Sequence, residues 1–404
     1  MSTLQHAGIM FNPHGVFLVG NANTGAVAGL SQAEASLCFR YLSGDMTLEE
    51  LSVQNKKMAA ELNGMQLLEP LNRQLRSAYL HVTQRCNLEC AGCYSRTSGR
   101  NCLPDPSMKE IDTALAFLAD AGIDSLNISG GEPFLRADLQ QIIRSAKVQY
   151  GIKQVNVLTN GTILDRQMIA ECAPYTTVLS VSFDGASPDD PSHIRGKQLF
   201  EDLVSFVSVA QNEGIEVCIT PTLHMKNWKD LRRYHLLADK LGTKLNVSIL
   251  SPTSRGKGDS ALFFDEETLR RLANEVIDVA LCYCDDGRKI ELLSSGLECV
   301  ASCGAGCQVI SIDADGEVYP CHLMHEARFS LGNVFRGDDI VFGEGAIPHR
   351  LDGSCKRCEY RYLCGGGCLA RAVGENRKKD PYCEMHKQFY RNTLNHLAQQ
   401  FKED

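Results

Sequence analysis

Apolar and polar positions alternate in two different rhythms along this chain, and the change of rhythm marks its organisation. Up to about residue 75 the spacing is mixed, with an apolar run at Val16 to Val19, a helical stretch around Ala33 to Leu42, and Thr47 and Glu50 spaced as a capping box. The box opens a helix expected to end near Asn63-Gly64, with Met65 to Leu68 as a closing strand. Two helices and a short ribbon predict a winged-helix-like domain over residues 1–75.

From about residue 77 short apolar runs alternate with amphipathic stretches, the pattern of a parallel sheet wrapped by helices. The strand candidates are Tyr79 to Val82, Ser125 to Ile128, Val155 to Leu158, Val178 to Ser182, Val217 to Thr220 and Leu245 to Ile249. The helices between them have legible ends. Ser107 and Glu110 form another capping box, Ile111, Leu115 and Leu118 share one face, and Gly122, Gly151, Gly214 and Gly242 stop successive helices. Six βα units are too few to close an eight-stranded barrel, so the expected architecture for residues 76–295 is α/β, an open partial (β/α)6 barrel with a following helix. Reactive groups should then gather at the C-terminal ends of its strands. Residues 296–404 form a third, cysteine-rich part ending in a helix.

Composition narrows the class. The chain has 404 residues, 44% hydrophobic, with a formal net charge of -8 and 18 cysteines. No apolar run reaches the length of a membrane span, and the segment from Met1 to Pro13 lacks a secretory pattern, which points to the cytoplasm and to no membrane partner. The negative balance, with Lys and Arg not clustered, argues against nucleic acid and for a small molecule or peptide. So many cysteines in a reducing compartment read as metal ligands rather than as disulfides. Cys38, Cys172 and Cys218 stand alone in apolar segments and are expected in the core, while Cys102, Cys282 and Cys284 remain unassigned.

Just after the first barrel strand, Cys86, Cys90 and Cys93 supply three thiolates within eight residues, followed by Tyr94. A structural zinc site wants four protein ligands, whereas three cysteines on an iron–sulfur cubane leave one iron for a non-protein ligand. The second strand ends in Gly130-Gly131-Glu132-Pro133, where glycines allow close backbone approach and Glu132 offers a carboxylate to an ammonium group. Taken alone, that tetrapeptide could equally be an ordinary strand-to-helix turn. Asn160 and Ser182 close the next two strands, and Arg195 carries a planar fork of donors suited to a carboxylate, or to a surface ion pair.

The CxxxCxxC loop with its trailing Tyr94 resembles the radical S-adenosylmethionine (SAM) superfamily, and Gly130 to Pro133 matches that family's GGEP motif. The resemblance implies a [4Fe–4S] cluster on Cys86, Cys90 and Cys93 whose open iron holds SAM. Reductive cleavage of SAM would then yield a 5′-deoxyadenosyl radical that abstracts a substrate hydrogen. It implies further that Tyr94, Gly130, Gly131, Glu132, Asn160, Ser182 and Arg195 contact SAM.

The C-terminal cysteines are Cys303, Cys307, Cys321, Cys355, Cys358, Cys364, Cys368 and Cys383. Their spacing is similar to that of a SPASM domain. The resemblance implies two auxiliary [4Fe–4S] clusters, one on Cys303, Cys307, Cys321 and Cys368, the other on Cys355, Cys358, Cys364 and Cys383. Cys299 could replace Cys307, or that iron could stay open, and two zinc sites are the plainer alternative. A hairpin is expected here, with Val309 to Ile312 and Val318-Tyr319 flanking an Asp315-Gly316 turn.

The implied function is that of a radical SAM oxidoreductase and peptide maturase. Its winged-helix-like domain would bind the leader of a ribosomally made precursor peptide, and its radical would install a thioether or carbon–carbon crosslink. A reductant such as flavodoxin or ferredoxin would be needed. Two other readings stand beside it, an anaerobic sulfatase-maturing (formylglycine-forming) type of enzyme and a non-catalytic iron–sulfur electron carrier.

Overall fold

In the computed structural model of the protein, residues 6–72, 74–252, 260–282, 296–343 and 353–400 are described. The N-terminal part pairs three short antiparallel strands in the order β1 (Gly8–Phe11), β2 (Phe17–Asn21), β3 (Val27–Leu30). Beside them run α1 (Gln32–Leu42), α2 (Leu48–Gln54) and α3 (Lys56–Gly64). The Thr47–Glu50 capping box forms, but the helix it opens stops early. Asn55 leaves helical geometry with φ -151°, closes α2, and caps α3 by accepting the Met58 amide on its side chain. A short amide side chain that competes for backbone donors explains the break.

Met65 to Leu68 do not form the expected strand; they turn instead. Their carbonyls still matter, because Leu67 O and Glu69 O accept the Gly8 and Ala7 amides at 2.7 and 2.8 Å and so cover the outer edge of β1. Alternate residues of β2 then face opposite ways. Val19 packs on the helices with Cys38 and Leu62, whereas Leu18 packs on Leu297, Tyr360, Leu363 and Leu394 of the C-terminal part.

The middle of the chain forms the parallel sheet. Strands β4 (Ser77–Thr83), β5 (Ser125–Gly130), β6 (Gln154–Thr159), β7 (Val178–Phe183) and β8 (Glu216–Leu223) lie side by side in chain order. The sixth strand expected over Leu245–Ile249 is split into β9 (Lys244–Leu245) and β10 (Ser248–Ile249), both parallel to β8. Between them Asn246 still donates to Ile219 O but faces the sheet's inner side. Helices α4 (Met108–Asp120), α5 (Leu139–Arg144), α6 (Arg166–Cys172), α7 (Phe200–Asn212) and α8 (Leu231–Leu241) follow successive strands. After them comes α9 (Glu266–Cys282).

Period two divides the sheet chemically. Leu126, Ile128, Val155, Val157, Leu179 and Val181 point outward into one continuous core with Leu115, Leu118 and Phe206 of the helices. Each such side chain contributes roughly 1.5–3 kcal/mol by leaving water. The inner face carries Asn127, Ser129, Ser180, Ser182, Thr220 and Thr222. Parallel sheets are ordinarily apolar on both faces, so a polar inner face signals a concavity built to hold something polar.

The hairpin of β11 (Val309–Ile312) and β12 (Glu317–Tyr319) forms as expected, and β13 (Gly332–Asn333) adds to it. What the sequence did not disclose is its attachment. Strand β11 runs parallel to β4, pairing Val309 with Ser77 through Ile312 with Leu80, so the C-terminal part extends the barrel sheet. A final helix, Cys383–Gln400, packs along α9, where Asn392 Nδ2 donates to Asn274 Oδ1 at 2.7 Å.

Candidate active site

The C-terminal ends of β4 to β8 open onto a cavity of about 500 Å³. Cys86, Cys90, Cys93 and Tyr94 line it, together with Gly130, Gly131, Asn160, Ser182 and Arg195. The cysteine loop leaves the end of β4 and is pinned to the loop after β7, since the Ala91 amide donates to Ile194 O at 2.8 Å. Burial pushes the Cys90 thiol up to about 11 and raises Cys86 as well. Burial does the same to the core cysteines Cys38 and Cys172, so it is the grouping of three thiols, not their acidity, that suits a metal cluster.

Arg195 is held from below and free above. Asp184 accepts the Ile194 and Arg195 amides at 3.0 and 2.9 Å and the Ser192 hydroxyl at 2.7 Å, leaving its carboxylate 3.9 Å from Arg195 Nη1. The arginine side chain is 7% exposed, and its Nε and Nη1 have no hydrogen-bond partner. Buried donors left unmatched on a cavity wall are the mark of a ligand's place. A carboxylate fits the guanidinium fork, and three thiols beside it fit an iron–sulfur cluster with one open iron.

The GGEP segment works differently from the expectation. A Cβ on Gly130 would lie 2.3 Å from Thr83 O, and one on Gly131 would lie 2.0 Å from Arg85 O. Gly130 also has φ +131°. The glycines therefore let β5 close against the stem of the cysteine loop. The Glu132 carboxylate does not reach the cavity. It is 1% exposed and accepts the Asn160 amide at 2.7 Å, the Thr159 hydroxyl at 2.8 Å and the Phe134 amide at 3.1 Å. Burial raises it to about 7. Glu132 is thus a positioning residue that ties the ends of β5 and β6, and through Asn160 Nδ2, 2.9 Å from Asn87 Oδ1, steadies the cysteine loop.

The far wall comes from the C-terminal part. His322, Leu323 and Arg371 line the same cavity. The His322 ring meets Tyr94 edge-on at 5.2 Å and stacks on Tyr79 at 4.0 Å. Sequence reasoning missed all three, and only the adjacency of His322 to Cys321 could have hinted at one. Beneath them lies a second unanticipated feature. Asp313, just past β11, faces His81 Nδ1 of β4 at 3.3 Å and His325 Nδ1 at 3.1 Å, and also accepts from the side-chain Nε2 of Gln84. Burial opposes its charge, yet the two imidazoles hold the carboxyl well below the usual range. The group clamps β4, the strand that leads into the cysteine loop, to the C-terminal part.

Two further cysteine sets gather. Cys355, Cys358, Cys364 and Cys383 line one small cavity. Burial, then the neighbouring Cys368 and Cys303 thiols, push Cys321 up to about 12, so those three lie together. Gly306 N donates to Pro320 O at 3.0 Å, which brings the turn carrying Cys307 beside Cys321. Cys299 lies elsewhere: a Cβ on Gly20 of β2 would stand 2.8 Å from its sulfur. Its thiol is buried against the N-terminal sheet, which removes it as a substitute for Cys307. Cys38, Cys172 and Cys218 are buried, as expected of core residues. Cys102 and Cys282 are exposed, and Cys284 lies outside the described residues.

Comparison with known proteins agrees with this geometry. Residues 80–280 match the model of the radical SAM superfamily, and residues 303–359 match SPASM, an iron–sulfur cluster-binding domain. The chain is 26% identical to the subtilosin biosynthesis protein AlbA of Bacillus subtilis, over 74% of this chain and 68% of that one. It is 27% identical to the mycofactocin maturase MftC of Mycolicibacterium smegmatis, over 72% and 76% of the two chains. Among solved structures it is similar to anSMEcpe with bound AdoMet, at a TM-score of 0.65 and 18% identity, covering 80% of this chain and 98% of that one. Streptococcus suis SuiB bound to precursor peptide SuiA gives a TM-score of 0.60 at 15% identity, covering 92% and 97%. Among the described residues no helix is long and apolar enough to cross a membrane.

Proposed function

The chain belongs to the radical SAM superfamily and carries a C-terminal SPASM domain, and from that premise we propose that it is a maturase of ribosomally made peptides. One observation carries the reading of the site: three thiols and the unmatched buried guanidinium of Arg195 share a wide, polar cavity. Cys86, Cys90 and Cys93 would hold a [4Fe–4S] cluster, and Arg195 would take the SAM carboxylate, with Ser182 and Tyr94 on the surrounding wall. Bound there, cluster and SAM supply a 5′-deoxyadenosyl radical able to take a hydrogen atom from a substrate.

The protein's own groups orient and enclose. Asp184 sets the backbone of the Arg195 loop, Glu132 and Asn160 fix the cysteine loop, and the serine and threonine floor offers neutral hydrogen bonds without a competing charge. The thiols of Cys303, Cys307, Cys321 and Cys368 would hold one auxiliary cluster. Those of Cys355, Cys358, Cys364 and Cys383 would hold the other, bringing the total to three. A bare electron carrier has no use for such a cavity.

A peptide substrate is favoured by the N-terminal domain. Since the outer edge of β1 is covered by Leu67 and Glu69, β3 is the sheet edge without a partner strand among the described residues. A leader peptide would add there as a further strand. Asn21 N donates to Ala26 O, so Ala28 also faces β2 with its hydrogen-bonding groups, and Gly29 turns its amide outward. A Cβ at Gly29 meets nothing within 4 Å, and Gly29→Pro removes one outward donor. Leader affinity, measured by fluorescence anisotropy, is expected to fall roughly tenfold, with the fold unchanged by circular dichroism. Unchanged affinity would reject β3 as the leader's site.

A further inference from the structure

We propose that the face around Cys355, Cys358, Cys364 and Cys383 is the docking surface for an acidic one-electron carrier protein. This rests on reading those thiols as a cluster site. Arg361, Lys379 and Lys387 line the same cavity as the thiols. Lys356 and Arg357, between two of the cysteines, are exposed, as is Lys378 beside Lys379.

Carboxylates are fewer than cations on this face, and Glu375 is taken by Arg377 at 2.9 Å. Asp380 takes Arg371 at 2.6 Å and the Cys368 amide at 2.7 Å, Glu384 is shared by Lys379 at 3.4 Å and Lys387 at 3.1 Å, and Glu359 accepts the His14 amide at 2.7 Å. Among the described residues no carboxylate pairs with Lys356, Arg357 or Lys378. The run 377–379 is too short to stand out along the chain, and folding adds the rest of the patch.

Charge and position together select the partner. The chain as a whole is at -8, so its average surface repels an acidic protein and this face attracts one. A nucleic acid would want exposed rings to stack on, but the neighbouring Tyr360 and Tyr390 stack on each other at 6.1 Å, with Tyr360 1% exposed. The other thiol site, at Cys86 to Cys93, opens into the cavity that a substrate must enter, where a bulky carrier would compete with it. In the exchange proposed here the carrier gives up one electron, the protein takes one up, and no atom is transferred.

The test uses anaerobically reconstituted full-length protein and a flavodoxin as probe, with association followed by biolayer interferometry at low and high salt. The triple variant K356E/R357E/K378E is expected to slow association about tenfold or more and to flatten its salt dependence. Iron content and dithionite-driven SAM cleavage should stay at wild-type levels, and R96E, beside the cysteine loop, should bind as wild type. Wild-type association by the triple variant overturns the proposal, as does weakening by R96E instead, or displacement of the flavodoxin by a single-stranded oligonucleotide. Because dithionite bypasses any carrier, absence of SAM cleavage in the wild type would count against the cluster reading and leave the docking measurement to stand separately.

Discussion

Two thiol sites in this protein differ in ligand number and in room. The loop from Cys86 to Cys93 brings three thiols to a cavity of about 500 Å³, whereas Cys355, Cys358, Cys364 and Cys383 bring four to one of about 20 Å³. Space with an incomplete ligand set invites an exogenous ligand, and a complete set in a close fit excludes one. The surroundings follow the same division. The first site faces a polar floor and the unmatched guanidinium of Arg195, while the second is sealed by Tyr360 and Tyr390 and ringed by lysines. On the proposed reading, reactivity would belong to the first, and the second would suit storing or passing an electron.

The largest effect that could break this contrast comes from replacing Cys86, Cys90 or Cys93 by Ala. Formation of 5′-deoxyadenosine should fall to background while the iron bound by the SPASM cysteines persists, and turnover surviving any of these changes would make the assignment wrong. Next is the clamp between the two regions. Asp313→Asn takes the buried carboxylate away from His81 and His325, which lie 3.3 and 3.1 Å from it, and should destabilise by about 1–3 kcal/mol in urea titrations. Its folded pKa is depressed, so the wild-type contribution is present above an unfolded value of roughly 3.9 and is lost as pH falls below it. A variant as stable as the wild type would show the clamp to be idle.

Arg195→Gln should act at the open site alone, raising KM for SAM by roughly tenfold to a hundredfold while cluster absorbance is kept. An unchanged KM would remove Arg195 from the ligand's wall. The last effect is one of pH dependence alone, at Glu132. Its folded pKa, about 7, lies above the ordinary glutamate value of 4.5, so its contribution is full below that value and declines as pH rises towards 7. The wild type should lose stability by up to about 1.4 kcal/mol per pH unit across that window relative to Glu132→Gln. Parallel pH profiles for the two proteins would contradict the burial described.

Much of this was legible in one dimension because the signals are local. Capping boxes at Thr47 and Ser107, alternation in β5 to β8, the Asp315-Gly316 turn and the cysteine spacings all act within a few residues. Failures came where a local signal had competition. Asn55 interrupted a helix that the hydrophobic pattern continued, and β9 and β10 parted where Asn246 turned inward. Glu132 carries a motif's carboxylate, yet neighbouring backbone amides claimed it before any ligand could.

The sequence by itself determined the alternating sheet and helices, the three thiols of the first loop and the identity of the later cysteines, since spacing and side-chain chemistry suffice for those. Only the tertiary structure decided that β11 joins β4, that Asp313 meets His81 and His325, and that His322 and Arg371 complete the cavity wall. It also set Cys299 against Gly20 and gathered the lysines around the second thiol site. These contacts join residues far apart in the chain, and their energies come from burial and pairing after the chain has closed on itself, which no local periodicity encodes.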